Sequence, residues 1–195
     1  MKDGLYDIPV GKVAMVVTHL EMRAPHFRKA PCPPGVDFVQ IDPDVATYRA
    51  LFRKVGQDWL WYGRLVMEDS ALDAILRDPA VQIFTLQKDG QAEALLELDF
   101  RKNTECELAY FGLSAGLIGT GAGAYLMDRA VERAFGSPID RLHVHTCTID
   151  SQQALAFYIR SGFAVTRQQV EIDDDPRIAG LLPDDVAPHV PLIRP

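Results

Sequence analysis

No stretch of this 195-residue chain approaches the roughly 18 consecutive apolar residues that a membrane-crossing helix needs, so no transmembrane helix is expected. Its first residues lack the basic, apolar and small-residue succession of a secretory leader, and the expected location is the cytoplasm. Cysteine is scarce. Cys32, Cys106 and Cys147 are an odd number at wide spacing, which argues against a disulfide framework and for reduced thiols. Positive charge is in deficit, with 20 Lys and Arg against 27 Asp and Glu, so the net charge of −7 speaks against nucleic acid or an anionic membrane as partner. A cationic or amine-bearing acceptor is compatible with that balance. A Ser/Gly-rich linker and internal repeats are absent as well, and 48% hydrophobic content suffices for one substantial core. One domain over residues 1–195 is therefore expected.

What the chain does have is glycine in one place. Residues 108 to 127 run from an apolar strand through Gly116, Gly119, Gly121 and Gly123 into a helix. A turn of this kind lets an anion approach backbone amides at the positive end of a helix. Three phosphate-binding patterns compete for it. A P-loop would end in Gly-Lys-Ser/Thr, and no Lys follows Gly123. The string Gly119-Thr120-Gly121-Ala122-Gly123-Ala124 satisfies G-x-G-x-x-G/A, but the acidic residue that a nicotinamide site places after the next strand is missing, since Asp140 precedes that strand.

The third pattern fits the flanks. Ile118-Gly119-Thr120-Gly121-Ala122-Gly123 resembles the Q/R-x-x-G-x-G/A signature of the Gcn5-related N-acetyltransferase (GNAT) superfamily, with Ile118 in the place of Gln or Arg. Downstream, Ser151-Gln-Gln-Ala154-Leu-Ala-Phe157-Tyr158-Ile-Arg-Ser-Gly162-Phe163 resembles its second cofactor motif, N-x-x-A-x-x-L/F-Y-x-x-x-G-F, with Ser151 for Asn. The resemblance covers residues 93 to 165. It implies a mixed α/β fold: a central, mostly antiparallel sheet with one splayed parallel strand pair, flanked by helices. It also implies acetyl-CoA as acyl donor and transfer to a primary amine of a small molecule or peptide. Phe111, Leu113, Ile118, Gly119, Thr120, Gly121, Ala122, Gly123, Ser151 and Ala154 would contact the cofactor. The pantetheine arm would lie in the splay, with the N–H near Leu113 facing the thioester carbonyl. Residues 1–80 would then form the acceptor-side half, 81–172 the acyl-CoA core and 173–195 a tail. A non-catalytic CoA-binding module of the same fold is the alternative.

The resemblance implies a general base at Glu107, with Glu105, Glu97 or a water chain as alternatives, and a general acid at Tyr158, whose phenol stays protonated at neutral pH with an ordinary pKa of about 10. Strand alternation puts Glu105, Glu107 and Ala109 on one face and Cys106, Leu108 and Tyr110 on the other. His143, His145 and Cys147 alternate likewise and could share a face, but no further ligands are signalled and no metal is expected. Trp59, Trp61, Tyr62 and Arg64 interrupt the helical pattern and are candidates for the acceptor pocket or for a plug between helices.

Local patterning predicts strands over 13–21, 81–87, 92–101, 104–113, 141–148 and 163–172, and a short one over 190–193. It predicts helices over 44–55, 69–77, 122–135 and 151–160. Asp89-Gly90 reads as a type I′ hairpin, 173–176 as an acidic turn, and the four prolines of 25–34 as a mobile loop. An edge strand near the C-terminus could pair two chains into a homodimer.

Overall fold

The computed structural model describes residues 2–195, and in it the period-2 segments assemble into one sheet. Its strands are β1 (Lys12–Met22), β2 (Val36–Gln40), β3 (Val81–Lys88), β4 (Gln91–Ala92), β5 (Ala94–Asp99), β6 (Glu105–Leu113), β7 (Arg141–Cys147) and β8 (Ala164–Asp174). The order across the sheet is β2-β3-β5-β6-β7-β1-β8, with β4 paired to β3. Only β6 and β7 run parallel, and the other pairs are antiparallel. This mixed sheet with one parallel pair agrees with the architecture that the motifs imply. Asp89 and Gly90 both take positive φ, 50° and 76°, as the type I′ turn between β3 and β4 requires.

Four helices cover the two faces: α1 (Val45–Gly56), α2 (Asp69–Leu76), α3 (Ala122–Phe135) and α4 (Ala154–Arg160). The Asp44 carboxylate caps α1 by accepting from the Thr47 N–H at 2.7 Å. Leu126, Ala130, Val131 and Ala134, at positions i, i+4, i+5 and i+8 of one helical face, are all buried, so α3 seats one apolar stripe on the sheet. One core lies between the sheet and α3 and α4. The other lies between the sheet and α1, α2 and the segment carrying Leu182, Val186 and Ala187. No helix is long and apolar enough to cross a membrane among the described residues.

Several local expectations are corrected. The segment Val36–Gln40 is a strand, formed because β3 offers it a free edge. Asp173 and Asp174 are not in a turn but continue β8, paired with Val13 and Lys12. Residues 190–193 form no strand, although the Ile193 carbonyl accepts from the Gly11 N–H at 3.2 Å. The helix expected from Ser151 starts at Ala154. The proline-rich loop is fastened: the buried Asp128 carboxylate of α3 accepts from the amides of Arg28 and Ala30 at 2.7 and 2.8 Å. The pairing of β5 with β6 slips between Glu97 and Leu98, leaving Ala109 unopposed. This bulge reverses the alternation, so Leu108 packs in one core and Tyr110 in the other, contrary to the shared face that period 2 predicts.

The end of β8 leads into a buried ion pair. Arg177 grips Asp175 through Nε at 3.0 Å and Nη2 at 2.7 Å, and its Nη1 donates to the Val190 carbonyl at 3.0 Å. Burial would raise the Asp175 pKa, but the Arg177 hydrogen bonds more than offset it and hold the carboxyl below its ordinary value. A depressed carboxyl stabilises the fold above its unfolded pKa, near 4, and loses that contribution as pH falls through the folded value. The stability gap between wild type and Asp175→Asn in urea titrations is therefore expected to close as the pH is lowered from about 5 to about 2. A gap that stays constant over this range would refute the assignment.

Candidate functional site

The parallel pairing of β6 with β7 lasts only from Glu105 opposite Arg141 to Glu107 opposite His143. Beyond it the strands part, and a cleft of about 690 Å³ opens between Leu108–Leu113 on one side and Val144, His145 and Cys147 on the other. The bulge at Ala109 is the cause nearest at hand, because it bends β6 where the partner is lost. Phe111, Leu113, Phe157 and Tyr158 come to the cleft from the layer of α3 and α4, whereas Val13, Met15, Val17 and Leu60 come from the opposite core. The cleft thus passes through the sheet.

The geometry of its α3 end suits an anion. Gly119 and Gly121 hold φ of +81° and +88°, a conformation that costs a side-chain-bearing residue about 1–2 kcal/mol. Among the described residues the amides of Gly119, Gly121 and Gly123 make no backbone hydrogen bond. A Cβ at Gly119 or Gly121 would meet nothing within 4 Å, and one at Gly123 would fill the space before Leu113 and Phe157, at 3.6 and 3.7 Å. Free donors around an open cradle at the start of a 14-residue helix fit a phosphate group. Arg28 adds charge, its guanidinium 5.7 Å from the Phe157 ring centroid. Nothing in the motifs signals Arg28, which arrives through the loop pinned to Asp128.

The neighbouring edge of β6 fits an extended arm. The Ser114 N–H donates to the Glu93 carbonyl at 2.9 Å, so Leu113 and Ala94 form a non-hydrogen-bonded pair. By the alternation of an antiparallel ladder, Leu113 and Phe111 direct their N–H and C=O groups away from β5, into the cleft. Ile118, 57% exposed, stands on the wall in place of a polar side chain. Ser151 and Ala154 also line the cleft. Thr120 and Ala122 do not: Thr120 donates from Oγ1 to the Leu117 carbonyl at 2.7 Å, and Ala122 is fully buried beneath the loop.

Tyr158 reaches the wall from α4, 7% exposed and ringed by Phe111, Phe157 and Phe163 at centroid distances of 6.2, 5.7 and 5.8 Å. Burial pushes its phenol well above the ordinary range, so it remains a proton donor at any pH near neutral. Glu107 is not on the wall. It stands behind His145, which is, with Oε1 3.8 Å from His145 Nδ1. Glu105 turns to Arg141, whose hydrogen bond at 3.0 Å holds its pKa down. Glu97 is fully buried, ion-paired with Arg64 and accepting from the Tyr48 hydroxyl, and does not reach the cleft. Burial alone would weaken the Arg64 cation, but the Glu97 carboxylate reverses the effect.

Arg64 therefore anchors the aromatic segment rather than lining the site, while Trp59, Trp61, Tyr62 and Gly63 form part of the cleft wall. Trp61 Nε1 donates to Asp150 at 3.2 Å, the Tyr62 hydroxyl donates to Asp173 at 2.6 Å, and Trp59 packs 5.8 Å from the His189 ring. These ties make a strap across the end of the cleft remote from α3. Asp150, Glu171 and Asp173 line the same region, and of these only the strand position of Glu171 was legible beforehand. His143 and His145 share a side of β7 with Cys147, yet among the described residues no group of three His, Cys, Asp or Glu side chains could hold a metal ion.

A model described as the acetyltransferase (GNAT) family matches residues 46–163. No curated protein matches the chain. Among solved structures, a GCN5-related N-acetyltransferase from Sphaerobacter thermophilus is similar at a TM-score of 0.60 and 14% identity, over 86% of this chain and 53% of that one. A GCN5-related N-acetyltransferase from Kribbella flavida gives 0.57 and 16%, over 87% and 63%. An aminoglycoside acetyltransferase from an uncultured soil metagenomic sample, in complex with trehalose, gives 0.53 and 12%, over 65% and 87%. The chain spans less than two thirds of the length of the first two of these proteins.

Proposed function

The chain belongs to the acetyltransferase (GNAT) family, and from that premise we propose that it transfers an acetyl group from acetyl-CoA directly to a primary amine, within one domain spanning residues 1–195. The observation that carries this reading is the cleft through the sheet, with free amides and Arg28 at one end and carboxylates at the other. Acetyl-CoA would supply the activated thioester. Gly119, Gly121 and Gly123 hold its pyrophosphate through their N–H groups with Arg28 beside them, and the open edge of Phe111 and Leu113 binds the pantetheine arm as an added strand. The Leu113 N–H donates to the carbonyl oxygen that gains charge on attack.

The amine enters as an ammonium ion and must lose a proton to become a nucleophile. His145 takes it at the cleft wall, with Glu107 behind to stabilise the imidazolium at 3.8 Å, so Glu107 acts through His145. As the N–C bond forms and the C–S bond breaks, Tyr158 delivers its hydroxyl proton to the leaving sulfur.

Thermal unfolding tests the cofactor directly. A ligand at about 100 times its dissociation constant adds about 2.7 kcal/mol, which for a chain of this size raises Tm by about 5–10 °C. Acetyl-CoA and CoA are expected to give this shift, NAD and ATP are not, and Gly123→Val should abolish it by filling the cradle. No shift with either CoA species would remove the transferase reading. A shift without acetyl transfer or slow acetyl-CoA consumption would favour the non-catalytic module, for which the exposed Ile118 at the cofactor wall speaks.

A further inference from the structure

We infer that the acceptor is a linear diamine or polyamine, whose reacting amine sits at the β6/β7 splay and whose second ammonium is held at Glu171 and Asp173. The inference rests on the acyl-transfer reading for the reacting end and on independent geometry for the other. Glu171 and Asp173 alternate on β8 and so share a face; their partners across the strand, Met15 and Val13, line the same cleft. Lys12, the cation nearest in register, is engaged by Asp174 at 2.6 Å. Among the described residues neither the exposed Glu171 nor the half-buried Asp173 has a cationic partner, although the Asp173 carboxylate accepts from the Tyr62 hydroxyl at 2.6 Å and from the Asp174 N–H at 2.8 Å.

The sheet order separates these carboxylates from the reacting gap. Cleft residues of β7 lie at the splay, β1 comes next and β8 after it, so two strand spacings, about 9.5 Å, separate β7 from β8. One ammonium cannot occupy both places, whereas a diamine spans them. Between the two ends the floor is Met15, Val17 and Cys147, and the roof is Trp59, Trp61 and Tyr62, a surface that accepts methylenes and the π-face contacts of a cation. Asp150 offers no third anchor, because Trp61, the Thr146 hydroxyl at 2.6 Å and the Cys147 N–H at 3.0 Å already occupy it.

The walls also argue against other amines. A polyhydroxylated aminosugar would bury hydroxyls against apolar side chains without partners.

The decisive comparison is 1,5-diaminopentane against 1-aminopentane, which share the reacting group and differ in the second charge. With CoA release as readout, the diamine should have a kcat/KM at least about tenfold higher, and Glu171→Gln should narrow the ratio to within about threefold. The acetyl-CoA-induced thermal shift reports that the variant is folded. Binding is read separately through Trp59 and Trp61, the chain's only tryptophans, both on the cleft wall. A fluorescence titration should give the diamine at least about tenfold tighter binding. Equal use and equal binding of the two amines would overturn the inference, as would preference for an aminosugar or a peptide amine. Selective diamine binding with no amine acetylated would leave this site standing and remove the transferase reading instead.

Discussion

Tyr158→Phe is expected to lower kcat by about 10²–10³-fold while leaving the KM for acetyl-CoA and the Tm nearly unchanged. The substitution deletes one hydroxyl and keeps the ring that packs against Phe111, Phe157 and Phe163, so the core around α4 is preserved. What is lost, on the proposed mechanism, is the proton for the leaving sulfur. Because burial raises the phenol, Tyr158 does not titrate within the working range. Steady-state rates across pH 6–9.5 check both points. A Phe variant within about threefold of wild type would make Tyr158 a packing residue and return the acid role to solvent.

Glu97→Ala should cost about 3–5 kcal/mol, the penalty for leaving a buried charge without its partner. Glu97 is fully buried, and its removal strands both the Arg64 guanidinium and the Tyr48 hydroxyl. For a chain of this length the loss corresponds to a fall in Tm of about 6–20 °C. The effect reaches the site as well, since Arg64 holds the strap beside Gly63 and lies over the Tyr110 ring at 5.2 Å. Acceptor KM should therefore rise in the folded fraction more than acetyl-CoA KM does. The paired replacement Arg64→Met with Glu97→Leu should recover much of the stability and little of the acceptor affinity, because it restores packing without the directed anchor. Recovery of both would mean that the pair is a core element with no positioning role.

Much of the cofactor end was legible as sequence because its parts are local. The turn at Gly119 and Gly121 and the helix over 122–135 depend on residues within a few positions of each other, and the structure reproduces the helix at the expected bounds. The acceptor end was legible only in part. Trp59, Trp61 and Tyr62 stood out by type, but the pattern could not distinguish wall from plug, and Arg64 falls on the plug side. Arg28 was hidden in a proline-rich loop whose position depends on Asp128, a hundred residues away. Glu107 was a candidate by its place on the strand before the turn, whereas its relation to His145 depends on how β6 and β7 are paired.

The sequence by itself determined the element types, the glycine turn, the two motifs and the family. These follow from side-chain periodicity, backbone freedom at glycine and short-range hydrogen bonding, all of which act along the chain. Tertiary structure alone decided which face each strand residue took after the bulge at Ala109, and which carboxylates were neutralised. It also decided that β1 separates β7 from β8. A bulge is set by the partner strand, an ion pair by residues dozens of positions apart, and strand order by how two cores close on one sheet. None of these leaves a period or a spacing in the sequence to be read.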